Sequence, residues 1–426
     1  MSQIEDHPLR YSMTNELHAR PFPVLNVPSH AVFLALKKPE DAANRDRALD
    51  RAHLIELLDR FGAAHPQPDA THFFCDLGRF QLKWELHTEF VTYTLFADGV
   101  GKLPFDPTAF AEFPADWLAN ATGKRLTSAL IRIEEIPEAE TEVEDKIREC
   151  FVAESIAVSY TLDKRAVVAG DYRIDSAGHL RFAIFAKPDT SPRRVGRTMQ
   201  RLCEIETYKA MSMLALPKAR HLSQKLAQID VQVCELIGHI KNNSRTEENV
   251  LSELLAISAD LEDQKAQCST RFSATRAYSA ILAERIIAMR EARFRGRQTF
   301  SEFMLRRFEP AMRTVQASEE YLASMSERVM RAADLLRIRV EVKRSAQNQA
   351  LLESMDKRAD LQLRLQRTVE GLSVVAISYY AINLVTYALY PLAKLADLDK
   401  PMLSAIATPF VLLGVWWIVR RIRKAH

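Results

Sequence analysis

GLSVVAISYYAINLVTYALYPLA, residues 371–393, is a run of 23 residues without a charge. PMLSAIATPFVLLGVWWIV, residues 401–419, is a second run of 19. As helices they would extend roughly 35 Å and 28 Å, at about 1.5 Å per residue. A hydrocarbon core about 30 Å thick is spanned by either. Residues 394–400 between them hold two acids and two bases. The pattern predicts a C-terminal transmembrane hairpin, with the rest of the chain outside the lipid. A buried apolar hairpin of a soluble core is the alternative. The basic outer flanks argue against it.

The charges around the two runs set an expected orientation. Arg364 and Arg367 precede the first run, and Arg420, Arg421, Arg423 and Lys424 follow the second. Basic flanks stay on the cytoplasmic side. Trp416 and Trp417 beside Arg420 and Arg421 suit the same interface. The opening residues, MSQIEDHPLRY, contain no apolar stretch, so no secretory signal is expected. The reading is an inner (cytoplasmic) membrane protein with two spans and both ends in the cytoplasm. Cys75, Cys150, Cys203, Cys234 and Cys268 form no CxxC pair and read as reduced thiols. A net charge of +3 on 426 residues is no nucleic-acid signature.

Upstream, residues 1–190 carry nearly all the strand signals. Ala31–Leu36 is a short apolar run. Residues 46–61 have helical spacing, with Leu49, Leu54, Leu57, Leu58 and Phe61 toward one side. Residues 79–87 alternate: Phe80, Leu82, Trp84 and Leu86 on one face, Gln81, Lys83, Glu85 and His87 on the other. This predicts a half-buried strand. Residues 90–96 and 127–136 are further strands, and residues 166–174 and 180–186 flank a turn at Asp175–Gly178. The expected fold class is α+β: a mostly antiparallel N-terminal sheet with helices on one face, then a long helical or coiled-coil region over 191–370, then the transmembrane hairpin of 371–426 with its basic tail.

From Val195 to Gln366 only Gly196, Gly238 and Gly296 interrupt, with Pro217 and Pro310. Helices are expected over 197–216, 218–242, 246–295 and 312–366, the last running into the first span. Leu322, Met325, Val329, Ala333, Leu336 and Val340 recur at spacings of three and four. They form a seam that stops or shifts at Lys343. The spacing leaves open whether the partner helix is in the same chain.

Chemical motifs are sparse. There is no Walker phosphate loop, GxGxxG, HExxH or GxSxG. Residues 98–102 (DGVGK) are too short for a phosphate cradle. His72, Cys75 and Asp76 have ligand-type side chains without a second pair at zinc spacing, and read as a strand end. No catalytic residue, metal ligand or cofactor is assigned. Asn15-Glu16-Leu17-His18-Ala19-Arg20-Pro21 is the densest stretch of the N-terminus. Glu16, His18 and Arg20 are candidate binding residues for an anion, or else a helical turn with a Glu16–Arg20 pair. Arg290, Arg293, Arg295, Arg297, Arg306, Arg307 and Arg313 cluster around Gly296 and Pro310. They suggest an arginine-lined bend in a helical arm, facing lipid headgroups or an acidic partner, or an intrachain ion-pair network. In the first span Tyr379, Tyr380, Asn383, Thr386 and Tyr387 share one stripe. Lipid-facing asparagine is costly, so the stripe predicts an interhelical seam or a pore lining.

Two segments resemble a bacterial family of uncharacterised membrane-anchored proteins, classed as a domain of unknown function. They are Asn15–Pro21, and Arg297-Gln298-Thr299-Phe300-Ser301-Glu302-Phe303-Met304 continuing through Arg306, Arg307 and Pro310–Thr314. The resemblance implies the fold and a membrane anchor, and no established activity. The layout is also similar to CorA-type magnesium channels. Those carry Gly-Met-Asn at the outer end of the first span, where this chain has Ala381-Ile382-Asn383 near mid-run.

The leading expectation is a membrane-anchored, cytoplasm-facing interaction or scaffold protein. Its expected partners are the bilayer, further copies of itself through the long helices and first span, and an unknown cytoplasmic partner, with no nucleic acid. A CorA-like divalent cation channel is the alternative, and a membrane-tethered enzyme the third.

Overall fold

The computed structural model describes residues 4–16, 22–242, 245–393 and 399–425. The chain forms two compact units. The first holds residues 1–243 and 252–331, the second 244–251 and 332–426.

In the first unit, a short helix α1 (Arg10–Glu16) precedes β1 (Ser29–Lys37) and α2 (Arg47–Arg60). Then come β2 (His72–Asp76), β3 (Gln81–Leu86), β4 (Phe90–Asp98), α3 (Ala115–Ala119), β5 (Lys124–Glu135) and α4 (Glu140–Cys150). β6 (Ala157–Thr161), β7 (Ala166–Gly170) and β8 (Leu180–Ala186) complete the main strands. A two-residue β9 (Ala292–Arg293) joins much later. The nine strands form one sheet in the order β2-β3-β4-β1-β5-β8-β7-β6-β9. Every pairing is antiparallel except β5–β8.

β1 is an unbroken apolar run because the sheet is covered on both faces. Ala31, Phe33 and Ala35 pack with Val195, Met199 and Leu202 of α5 (Pro192–Met213). Val32, Leu34 and Leu36 pack with Leu54, Leu57 and Leu58 of α2 and with Trp117 of α3. The expectation of helices on one face is thereby corrected. The apolar strands carry the signature of two-sided burial. Each fully buried leucine or phenylalanine contributes about 1.5–3 kcal/mol.

Local chemistry explains the elements. Asp46 caps α2 by accepting from the Ala48 amide at 2.8 Å. Asp50 rather than Leu49 takes the inward position in its first turn: Asp50 is 2% exposed and Leu49 57%. Asp50 binds Arg45 Nε at 2.6 Å and Thr122 at 2.6 Å. Arg45 in turn donates to the carbonyls of His87, Thr88 and Phe90 at the β3–β4 turn. On its other side this turn is held by Glu89, which takes a two-pronged contact from Arg271 at 2.6 and 3.0 Å. β7 ends at Gly170, earlier than residue 174. There a side chain would collide with the Phe182 ring, and the buried Asp171 turns the chain by binding Arg181 and the Val152 and Arg173 amides.

The helical region comprises α5, α6 (Ala215–Asn242), α7 (Glu247–Ala288), α8 (Phe300–Arg307) and α9 (Glu309–Ala393), followed by α10 (Lys400–Ala425). Pro310 falls in the first turn of α9, where a missing amide hydrogen costs nothing. The seam residues Leu322, Met325 and Val329 are buried. Their partners are in the same chain. In the first unit Ser318 meets Ser223 at 2.8 Å, Tyr321 and Arg328 bind Asp230, Arg276 binds Glu319, and Lys225 binds Asp260 at 2.6 Å. In the second unit Ala333 and Leu336 continue the buried row, and Lys343 pairs with Glu247 at 3.5 Å. From Glu341 to Val369 every residue of α9 is exposed, so the seam ends where its spacing does. α9 runs unbroken through Gln366–Glu370 into the apolar run.

Candidate functional site

The alternation of β3 places Lys83 and Glu85 on the face away from Leu82 and Trp84. In register, Lys83 lies opposite Thr94 and Glu85 opposite Thr92 on β4, and Phe33 of β1 follows beside Thr94. The α5 residues Met199, Gln200, Cys203, Glu204 and Thr207, spaced by three and four, roof this floor. Arg285 of α7 and Phe22 complete the walls. The half-open cavity has a volume of about 340 Å³, at the small end of ligand pockets.

The polar face of β3 is therefore not a solvated face. Lys83 is only 4% exposed. Its ammonium lies 3.2 Å from the Glu85 carboxylate, yet makes no well-formed hydrogen bond among the described residues. Gln200 donates its amide NH₂ to Glu204 at 2.8 Å, while its buried carbonyl oxygen receives no donor among the described residues. Glu204 also pairs with Arg285 Nε at 2.5 Å. Burial raises the Cys203 thiol far above the usual cysteine range, helped by the Glu204 charge, so it is no nucleophile at neutral pH. The pocket can thus offer a ligand a donor at Lys83 and an acceptor at Gln200, while its Cys203 is not an activated attacking group.

A second, wider cleft of about 840 Å³ lies where β1, β4 and β5 meet a 3-10 turn at Pro107–Glu112. His30 donates from Nδ1 to the Gly99 carbonyl at 2.8 Å and from Nε2 to the Glu112 carboxylate at 2.8 Å. The hydrogen bond to Glu112 raises the His30 pKa above its ordinary value. With both nitrogens engaged, His30 is a bracket between strand and turn, not a free base.

Of the N-terminal candidates, Glu16 ends α1, while its side chain and all of His18 and Arg20 lie outside the described residues. The segment that follows is well anchored. Arg197 stacks over the Phe22 ring at 4.9 Å, and Leu25 donates to the Pro192 carbonyl at 3.2 Å. Gly196 is needed at this crossing, because a Cβ would sit 1.9 Å from the Pro23 carbonyl oxygen.

The arginine cluster is not a bend in a helical arm. α7 stops at Ala288, Arg290, Arg295 and Gly296 take positive φ, and β9 pairs with β6. Arg293 pairs with Glu302, and Arg295 and Arg297 pair with Glu144 at 3.3 and 2.8 Å. The Thr299–Glu302 capping box starts α8, and Glu291 accepts from the Phe300 and Ser301 amides at 2.9 Å each. Gln298 ties the segment to the Ile156 carbonyl at 2.7 Å. The second motif is a structural clip, with Phe300 fully buried.

In the second unit, the apolar end of α9 and most of α10 are long and apolar enough to cross a membrane. Only 6% and 17% of their most apolar windows are buried inside the chain. Along the predicted stripe, Asn383 and Thr386 are half-buried, while Tyr379, Tyr380 and Tyr387 are more than 60% exposed. Lys400 lies over the rings of Tyr387 and Tyr390 at 5.4 and 4.8 Å, and Arg420 and Arg421 over those of Trp416 and Trp417. Both ends of α10 therefore carry an aromatic–cation pair, the composition of a membrane interface.

The residues that sequence reasoning missed are Lys83, Gln200, Glu204 and Arg285. Their signal was present: Lys83, Glu85, Thr92 and Thr94 repeat polar residues on one sheet face, and Gln200, Glu204 and Thr207 do so on one helix face.

The chain belongs to the family described as "Protein of unknown function (DUF3422)", which it matches over residues 5–426. No curated protein and no solved structure matches it.

Proposed function

We infer that this protein is a membrane-anchored, self-associating interaction protein. Its α9–α10 hairpin sits in the inner membrane, and its α+β unit faces the cytoplasm to receive a cytoplasmic partner. The observation that carries the reading is the pair of apolar helices left uncovered by the rest of the chain. In water that surface would drive aggregation; in lipid it is at home. The basic residues after Trp417 support the cytoplasmic placement of both ends. Tyr379 and Tyr380 support self-association. Their hydroxyls near the middle of a span need hydrogen-bond partners, and a second copy supplies them.

A CorA-like channel is the less favoured reading. Asn383 lies near the middle of the run, and Lys400 puts a positive charge over Tyr387 and Tyr390 at the end where a cation would enter. An enzymatic reading needs a free base or nucleophile in a cavity, whereas Cys203 is held as a thiol and His30 has both nitrogens engaged.

Cys234 is exposed on α6 and serves as a native label for the test. A membrane-impermeant maleimide should modify it in inverted membrane vesicles and not in intact right-side-out vesicles. Equal labelling in both, or recovery of the protein outside the membrane fraction, overturns the reading.

A further inference from the structure

We propose that the pocket between β3, β4 and α5 binds a small zwitterion of the α-amino-acid class with an apolar side chain. The carboxylate would lie on Lys83 and the ammonium on the Gln200 carbonyl oxygen beside Glu204.

Three observations carry this. First, two buried side chains on different walls each keep a polar atom without a hydrogen bond among the described residues: Lys83 Nζ, which has only an ion-pair contact with Glu85, and Gln200 Oε1. Lys83, on the sheet floor, has protons to donate; Gln200, on the helix roof, has an oxygen to accept. A native pocket rarely leaves such atoms unmatched, and their combined demand is one acceptor group and one donor group. Second, the charged wall residues already form two opposed pairs, Lys83 with Glu85 and Arg285 with Glu204. The described walls thus carry charge of both signs, so each end of a zwitterion meets its opposite, whereas a ligand with one net charge leaves one sign unmet. Third, Phe33, Phe90, Phe96 and Met199 give the walls an apolar part. They match an aliphatic or aromatic side chain within a volume of about 340 Å³.

The site is independent of the anchoring hairpin, so its test does not depend on membrane topology. Isothermal titration of the full chain in detergent micelles with L-phenylalanine and L-leucine should give saturable heat. Phenethylamine, which lacks the carboxylate, and 3-phenylpropionate, which lacks the ammonium, should each bind ~10-fold more weakly or worse, because a site built around a polar group rejects the analogue that leaves it unpaired. Lys83→Met should remove the advantage of L-phenylalanine over phenethylamine. If circular dichroism shows that variant unfolded, Gln200→Leu takes its place and should remove the advantage over 3-phenylpropionate. Absence of saturable heat with either amino acid, equal binding of the analogues, or unchanged affinity in a folded Lys83→Met or Gln200→Leu protein overturns the proposal. A pocket filled by water alone gives the first of those results.

Discussion

Replacing Asp50 by alanine should destabilise the first unit by about 3–5 kcal/mol, the cost of breaking a buried ion pair by removing one partner. Asp50 and Arg45 have only 3% and 6% of their side chains exposed. The carboxylate binds Arg45 Nε and the Thr122 hydroxyl, both at 2.6 Å. Without it the guanidinium remains buried against the carbonyls of His87, Thr88 and Phe90 with no counter-charge. Asp50→Asn keeps the shape and one acceptor and should cost less. Urea denaturation of the full chain in micelles, followed by tryptophan fluorescence, reads the effect, since Trp84 and Trp117 are fully buried in the cluster that α2 covers. With an m-value near 3 kcal/mol/M, the midpoint of Asp50→Ala should fall by about 1 M or more. A loss under about 0.5 kcal/mol, the level of an ordinary surface substitution, would refute the reasoning.

Two further outcomes follow from the geometry. The raised pKa of His30 means that its bond to Glu112 stabilises the fold fully below the ordinary value of 6.5 and that this contribution is lost as pH rises through the raised value. The difference in Tm between wild type and His30→Gln should therefore be largest in mild acid and shrink toward alkaline pH, and a pH-independent difference would contradict the assignment. Asn383→Leu should leave membrane insertion intact and weaken self-association in nanodiscs, read as a lower mass by native mass spectrometry; a wild-type protein that is already monomeric would remove the basis for the oligomer.

The parts of this fold that were legible in the sequence are those written in local periodicity. Alternation at residues 79–87, the apolar run at 31–36 and the three–four spacing from Leu322 to Val340 each became the expected element. The seam ended near Lys343 because α9 is exposed throughout residues 341–369. What local pattern could not carry was pairing at long range. β9 is two residues contributed to β6 from more than a hundred positions away, and no periodicity marks it. The parallel β5–β8 pairing brackets a helix and two strands, so neighbours in sequence are not neighbours in the sheet. The pocket was hidden by one inference about layers. With helices assumed on one face, Lys83 and Glu85 read as solvated; α5 on the second face buries them. The motif at residues 15–21 stood out by composition, but beyond Glu16 it lies outside the described residues. For three of the seven arginines of the cluster the partner lies far off in sequence or across a turn: Glu144 and Glu302 take up Arg293, Arg295 and Arg297.

The central claim, that the hairpin of α9 and α10 anchors the chain in a bilayer, is tested most directly by alkaline carbonate extraction of isolated membranes. The full chain should remain in the membrane pellet, as a protein held by two apolar helices must. A variant lacking residues 371–426 should be released. Release of the full chain into the supernatant would contradict the account.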